Sequence, residues 1–196
     1  VPMLSLDNLT SVEDVRVFVQ KVLNKAREQG MNLDGIWIAV EPKVDGLSAS
    51  CTYENGRLVR VLTRGNGREG EDISANAVRI GDIHIRLPDG MLKEQSTVEV
   101  RGEIFMRPSV LNQLNAERKA QNEEPYANTR NCAVGSIKLK DPEESARRFL
   151  SFTAYELVCG DMRYTSSGDP MSWFSQAGVP CVQRVGKSRL SGGVEK

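Results

Sequence analysis

Val15, Phe18, Val19, Val22, Leu23 and Ala26 recur at intervals of three and four, drawing one apolar stripe along a helix expected over 11–29. Ser11 stands where an N-cap belongs, Glu13 and Asp14 fall in the first turn, and Gly30 ends the run. The period then changes. "GLSASCTY" and "RLVRVLTR" flank "ENGR", whose Asn55-Gly56 pair predicts a tight β-hairpin. Val98, Val100, Ile104, Phe105 and Met106 mark a strand through "TVEVRGEIFM", and Pro108 opens a helix that continues through "SVLNQLNAERKA". "RFLSFTAYELV", 148–158, reads as another strand; Asp169 then caps a short helix with Pro170 at its first position and Gly178 at its end. His84, in the alternating stretch Ile83-His84-Ile85-Arg86-Leu87, reads as an exposed strand residue. Hairpin-linked strands interspersed with a few helices predict an α+β domain with largely antiparallel sheets and flanking helices.

Composition narrows the possible partners. A chain of 196 residues, 39% hydrophobic and 27% charged, suits one globular domain with a real core. Its 26 basic residues balance 26 acidic ones, so no global field holds it on nucleic acid or a membrane, and anion binding must be local. No apolar run approaches the roughly 18 residues of a membrane helix, and no signal peptide opens the chain. Cys51, Cys132, Cys159 and Cys181 form no CxxC pair, which argues against zinc and for the reduced thiols of a cytoplasmic protein. One histidine and no nucleophile-elbow motif give a Ser-His-Asp triad no support. The start at Val1 and the polar ending "KSRLSGGVEK" read as cuts in something larger.

Four stretches could carry chemistry. "EPKVDGL" places Glu41, Lys43 and Asp45 at every second position, so a strand would set acid, base and acid on one face. Such a triplet is either a solvated strand edge or the setting of a nucleophilic lysine, and the apolar run before it favours the latter. Neighbouring carboxylates stabilise an ammonium, so attack would need a divalent cation or further lysines to offset them. In "TRGNGREGED", Gly65, Gly67 and Gly70 satisfy GxGxxG, yet the strand before them is the return arm of a hairpin, which excludes a dinucleotide-binding βαβ unit. What remains is a flexible surface loop, or a glycine loop led by Arg64 that approaches an anion. "VEVRGEIFM" puts Arg101 and Glu103 on one face, by default as an ion pair. "PYANTRNCAVGSIKLKDP" is an ordinary polar loop, or one whose Asn128, Arg130, Asn131, Ser136 and Lys138 donate to phosphate.

Together and in this order, "PMLSLDN", "EPKVDGL", "YENGRLVRVLTRGNGREGED", "VEVRGEIF" and "YANTRNCAVGS" resemble the blocks of the adenylation domain of NAD-dependent DNA ligases. KxDG alone is shared with ATP-dependent ligases and capping enzymes; "MLSLDN" and "TRGxGxxGED" are more specific. The resemblance implies the ligase and capping-enzyme nucleotidyltransferase fold, which is ATP-grasp-like. It implies NAD+ as the adenylate donor, Mg2+ or Mn2+ as the cation, nicked double-stranded DNA as partner, and a monomer in the bacterial cytosol and nucleoid. By motif, Lys43 would attack the adenylyl phosphorus of NAD, with Asp45 positioning the lysine and the cation. Glu41 would accept from the adenine amino group, Arg64 and Glu103 would hold the ribose hydroxyls, and Ser5 and Leu6 would line the pocket. Arg130 and Lys138 would meet phosphate and nicked DNA.

Three positions depart from the family pattern: Asn66 where it usually has Asp, Thr129 where it has Pro, and Lys138 where it has a second Arg. Lysine keeps the charge but loses the planar fork. The later lysine strands are not found before Lys196, so residues 1–196 are expected to be an incomplete adenylation domain. The nicotinamide-gripping domain and the OB, zinc, helix-hairpin-helix and BRCT parts are likewise expected to lie outside residues 1–196. Two alternatives stay open: a KxDG nucleotidyltransferase that uses ATP or acts on RNA, and a catalytically dead DNA-binding scaffold.

Overall fold

The computed structural model describes residues 3, 8–33, 37–92, 96–159, 162–164 and 170–189. In chain order these form α1 (Val12–Glu28), β1 (Trp37–Val40), β2 (Leu47–Glu54), β3 (Arg57–Thr63), α2 (Ser74–Ala77), β4 (Thr97–Phe105) and α3 (Pro108–Ala120). They continue as α4 (Thr129–Ile137), α5 (Pro142–Ala146), β5 (Ser151–Cys159), β6 (Met162–Tyr164), α6 (Pro170–Ala177) and β7 (Gly186–Arg189). The chain divides into two units. The larger holds Met3 and the described residues of 43–182; the smaller holds those of 4–42 and 183–189.

A five-stranded antiparallel sheet in the order β3-β2-β4-β5-β6 organises the larger unit. The hairpin between β2 and β3 turns at Asn55 (φ 49°) and Gly56 (φ 76°), the pair of positive angles that a right-twisted two-residue turn requires. One sheet face is apolar: Ala49, Cys51, Val61, Val100, Ile104 and Phe152 are each at most 2% exposed. Against this face pack Ala77, Ile137 and Phe174 from α2, α4 and α6. The opposite face carries Ser48, Ser50, Glu99, Arg101 and Glu103, so strand alternation has sorted core from chemistry.

In the smaller unit, β1 and β7 pair antiparallel, and α1 begins with the foreseen cap. The Ser11 hydroxyl accepts from the Asp14 amide, and the Asp14 carboxylate accepts in return from the Ser11 amide. The stripe of α1 is buried only at Leu23 and Ala26, while Val15 and Phe18 stay 47% and 44% exposed.

Four expectations need correction. Residues 41–45 are not strand: β1 stops at Val40, Pro42 has no ladder donor, and β2 starts at Leu47. Residues 129–137 form a helix rather than a loop. His84 is half-buried in irregular chain, where its carbonyl accepts from the Tyr53 hydroxyl at 2.9 Å. The 148–158 strand begins only at Ser151, because Phe149 adopts φ 48° and breaks the extended run. α3 and α6 form where expected. The Asp169 cap lies outside the described residues.

Candidate active site

Lys43, Asp45 and Gly46 occupy the connection leading into β2. Gly46 is buried against β4, where a Cβ would lie 2.1 Å from the Ile104 carbonyl oxygen. Only glycine allows so close an approach to a neighbouring strand. Its amide donates to Glu103 Oε1 at 3.2 Å, and the Ser48 hydroxyl donates to Glu103 Oε2 at 2.8 Å. Glu103 therefore fastens the turn that bears Lys43. Burial raises the Glu103 carboxyl above its ordinary value, opposed by those two hydrogen bonds and by the charges of Lys43 and Arg130. Arg101, expected as its ion-pair partner, instead bonds Glu99 and Glu156.

Asp45 is met from across the unit. Arg130 Nη1 lies 2.7 Å from Asp45 Oδ1, with the two side chains 54% and 66% exposed. Arg130 is held there by its helix, since the Asn128 side chain caps α4 by accepting from the Asn131 amide at 2.8 Å. The cap makes Thr129 tolerable at the first helical position, where proline would pre-set the backbone. Lys138, the last residue expected to meet phosphate, ends α4 and pairs with Glu71 at 2.5 Å. Lys43 and Lys138 are both exposed.

The glycine loop closes on itself as a tight turn. The Arg64 amide donates to the Ser48 carbonyl, Gly67 to Arg64, and Asn66 to Glu69. The Arg68 and Glu69 amides both donate to Asn66 Oδ1 at 2.9 Å. The amides of residues 64 and 66–69 are therefore engaged within the protein. An amide oxygen accepts these two bonds as a carboxylate would, which accounts for Asn66 in the place of Asp. Gly65 and Gly70 are needed for closure, as a Cβ on either would lie 1.8 Å from a backbone oxygen. The loop leaves the Arg64 side chain exposed at the end of β3, next to the Lys43 turn through its bond to Ser48.

Glu41 belongs to the smaller unit, half-buried, with Oε1 3.6 Å from Arg184 Nε. Arg184 was not singled out in the sequence, where nothing joins "QRVG" to "EPKVDG". Among the described residues its Nε and Nη2 are buried without a hydrogen-bond partner. Tyr155 was also missed. It is half-buried, its phenol raised by burial, and it bonds Ser48 beside Glu103. Ser5 and Leu6 lie outside the described residues. Among the described residues no cluster of three or more His, Cys, Asp or Glu could hold a metal ion, and no helix is long and apolar enough to cross a membrane.

Comparison with known proteins yields one consistent family. The family model for the NAD-dependent DNA ligase adenylation domain matches residues 1–196. The chain is 46% identical over 180 residues to a DNA ligase of Brucella ovis, covering 91% of this chain and 24% of that protein. It is 44% identical over 158 residues to a DNA ligase of Gluconacetobacter diazotrophicus, covering 79% of this chain and 22% of that one. With a DNA ligase of Bradyrhizobium diazoefficiens it shares 41% over 182 residues, covering 91% and 24%. The chain thus spans between a fifth and a quarter of the length of these relatives.

Proposed function

Since the chain belongs to the NAD-dependent DNA ligase adenylation-domain family, we propose that Lys43 is the residue that accepts AMP. Its Nζ attacks the adenylyl phosphorus of NAD: an N–P bond forms, the P–O bond to nicotinamide mononucleotide breaks, and the amine sheds a proton. AMP then passes to the 5′-phosphate of nicked DNA, and the 3′-hydroxyl displaces it to seal the nick. The observation that carries this reading is the convergence of Lys43, Arg130 and Glu103, from three separate segments, on one exposed turn.

The turn also meets the electrostatic difficulty of a lysine between acids. Asp45 is offset by Arg130, and Glu103 by a backbone amide and a hydroxyl, so less uncompensated negative charge faces the ammonium. The Asp45 side chain is 66% exposed, which suits Mg2+ or Mn2+, ions that bind through one or two carboxylates plus substrate phosphates. Such an ion would supply charge neutralisation at the phosphate. Glu41 takes the adenine amino group, Arg64 and Glu103 the ribose hydroxyls, and Arg130 and Lys138 the phosphate and DNA backbone; Ser5 and Leu6 complete the pocket. The fold name that accompanies this reading is the ligase and capping-enzyme nucleotidyltransferase, ATP-grasp-like, working as a cytosolic monomer.

The donor is tested directly. Adenylate-labelled NAD should label the full-length ligase that contains this chain, and labelled ATP should not; labelling from ATP alone would replace the reading with the ATP-dependent one. Removing Glu103 tests the ribose contact. Glu103→Ala should weaken AMP binding by about 10- to 150-fold, the loss of a charge-assisted hydrogen bond worth roughly 1.5–3 kcal/mol. Glu103→Gln, which keeps an acceptor for Gly46, should retain thermal stability but still lose affinity. Calorimetric affinity unchanged in both variants would remove Glu103 from the nucleotide site.

A further inference from the structure

Arg101 sits in the middle of β4 with 2% of its surface exposed. A guanidinium so placed forfeits its hydration and is tolerated only when paired. Its Nε donates to Glu99 Oε1 at 2.8 Å and its Nη1 to Glu156 Oε2 at 3.1 Å, while the Ser50 hydroxyl of β2 donates to Glu99. The network thus spans β2, β4 and β5. Stability alone does not explain it, because apolar residues of similar volume commonly serve as well or better in such positions.

The strand register supplies the second observation. Glu103 faces Thr153 and Gly102 faces Ala154, but Arg101 faces Glu156, which leaves Tyr155 as an extra residue on β5. This is a β-bulge, a feature that bends a strand and re-aims the side chains beside it. It turns the consecutive residues Tyr155 and Glu156 toward the polar face. Packing is tight at the shift, where a Cβ on Gly102 would lie 2.3 Å from the Thr153 carbonyl oxygen. Glu103 is the next residue, so the pitch of β4 at this point decides where its carboxylate aims.

We infer that Arg101 is a positioning residue for Glu103: its pairs with Glu99 and Glu156 clamp the β5 bulge to β4 and hold the Glu103 carboxylate on the Gly46 amide and the Ser48 hydroxyl. The importance of the clamp for AMP transfer rests on the function proposed above; the geometry does not. The reporter is hydrogen exchange of the Gly46 amide, read by NMR without nucleotide. It should accelerate about tenfold or more in Glu156→Gln, which cuts one arm of the clamp while keeping side-chain volume. The same should hold in the triple variant Glu99→Gln, Arg101→Met, Glu156→Gln, which removes the charges together. The Val61 amide, held by Ser74 away from the network, should keep its rate. Wild-type exchange at Gly46 in Glu156→Gln would overturn the inference, whether or not the triple variant folds. An AMP titration on the same variants separates the two claims. Faster Gly46 exchange with undiminished AMP affinity would uphold the clamp and count against the nucleotide role of Glu103.

Discussion

Lys43→Arg should abolish transfer of adenylate from NAD while leaving the fold intact. Lys43 is exposed in an irregular connection, so the exchange disturbs no packing. Arginine preserves the positive charge but stays protonated at any working pH, and its delocalised guanidinium is no nucleophile for phosphorus. Binding of NAD should therefore survive and the chemistry should not. Removing a covalent nucleophile costs on the order of 10⁶ in rate in well-studied cases. Single-turnover labelling and a melting curve on the full-length ligase check both halves, with the melting temperature expected to move by no more than about 1–2 °C. Residual labelling within a factor of ten of wild type would show that another residue takes the AMP.

Gly46→Ala should damage both stability and catalysis, through one atom. The added Cβ would sit 2.1 Å from the Ile104 carbonyl oxygen and 3.0 Å from its carbon. Both belong to backbone already committed to the pairing of Leu47 with Ile104, so the neighbour cannot yield and the turn must. Overpacking of this kind costs about 1–3 kcal/mol, or roughly 2–12 °C of melting temperature in a domain this size. Moving the turn lengthens the bond from the Gly46 amide to Glu103 and shifts Lys43 with it. A displacement near 1 Å at a reacting group can cost about 10² in rate. Gly135→Ala is the control, since a Cβ there meets nothing within 4 Å. It lies inside α4 and should leave stability equal or slightly raised. Equal melting temperatures for the two variants would contradict the packing argument.

The parts legible in the sequence were those with local causes. The cap of α1, the Asn55-Gly56 hairpin and the proline that opens α3 each act within a few residues, and each appears where expected. The lysine turn was misread because Glu41, Lys43 and Asp45 copy a strand's alternation. What ends the strand is the missing donor of Pro42 and the capture of the Gly46 amide by Glu103, 57 residues further on. α4 looked like a polar loop because "TRNCAVGSI" is weakly amphipathic. It is a helix because Asn128 caps it and Cys132, Ala133, Ser136 and Ile137 are buried along it. The closure of the glycine loop was not legible, because it depends on Asn66 and on the Arg64 and Glu69 carbonyls taking the amides of residues 66–69, where the sequence offered a flexible loop or an anion-approaching one. The bulge that leaves Tyr155 unpaired opposite Arg101 has no sequence signal at all, and arises only when β4 and β5 meet.

The central claim is that Lys43 carries the AMP. Full-length ligase exposed to NAD, then digested and mapped by mass spectrometry under conditions that preserve phosphoramidates, should show AMP on the peptide containing "EPKVDG" and on Lys43 within it. AMP found on any other lysine, with Lys43 unmodified, would contradict the account.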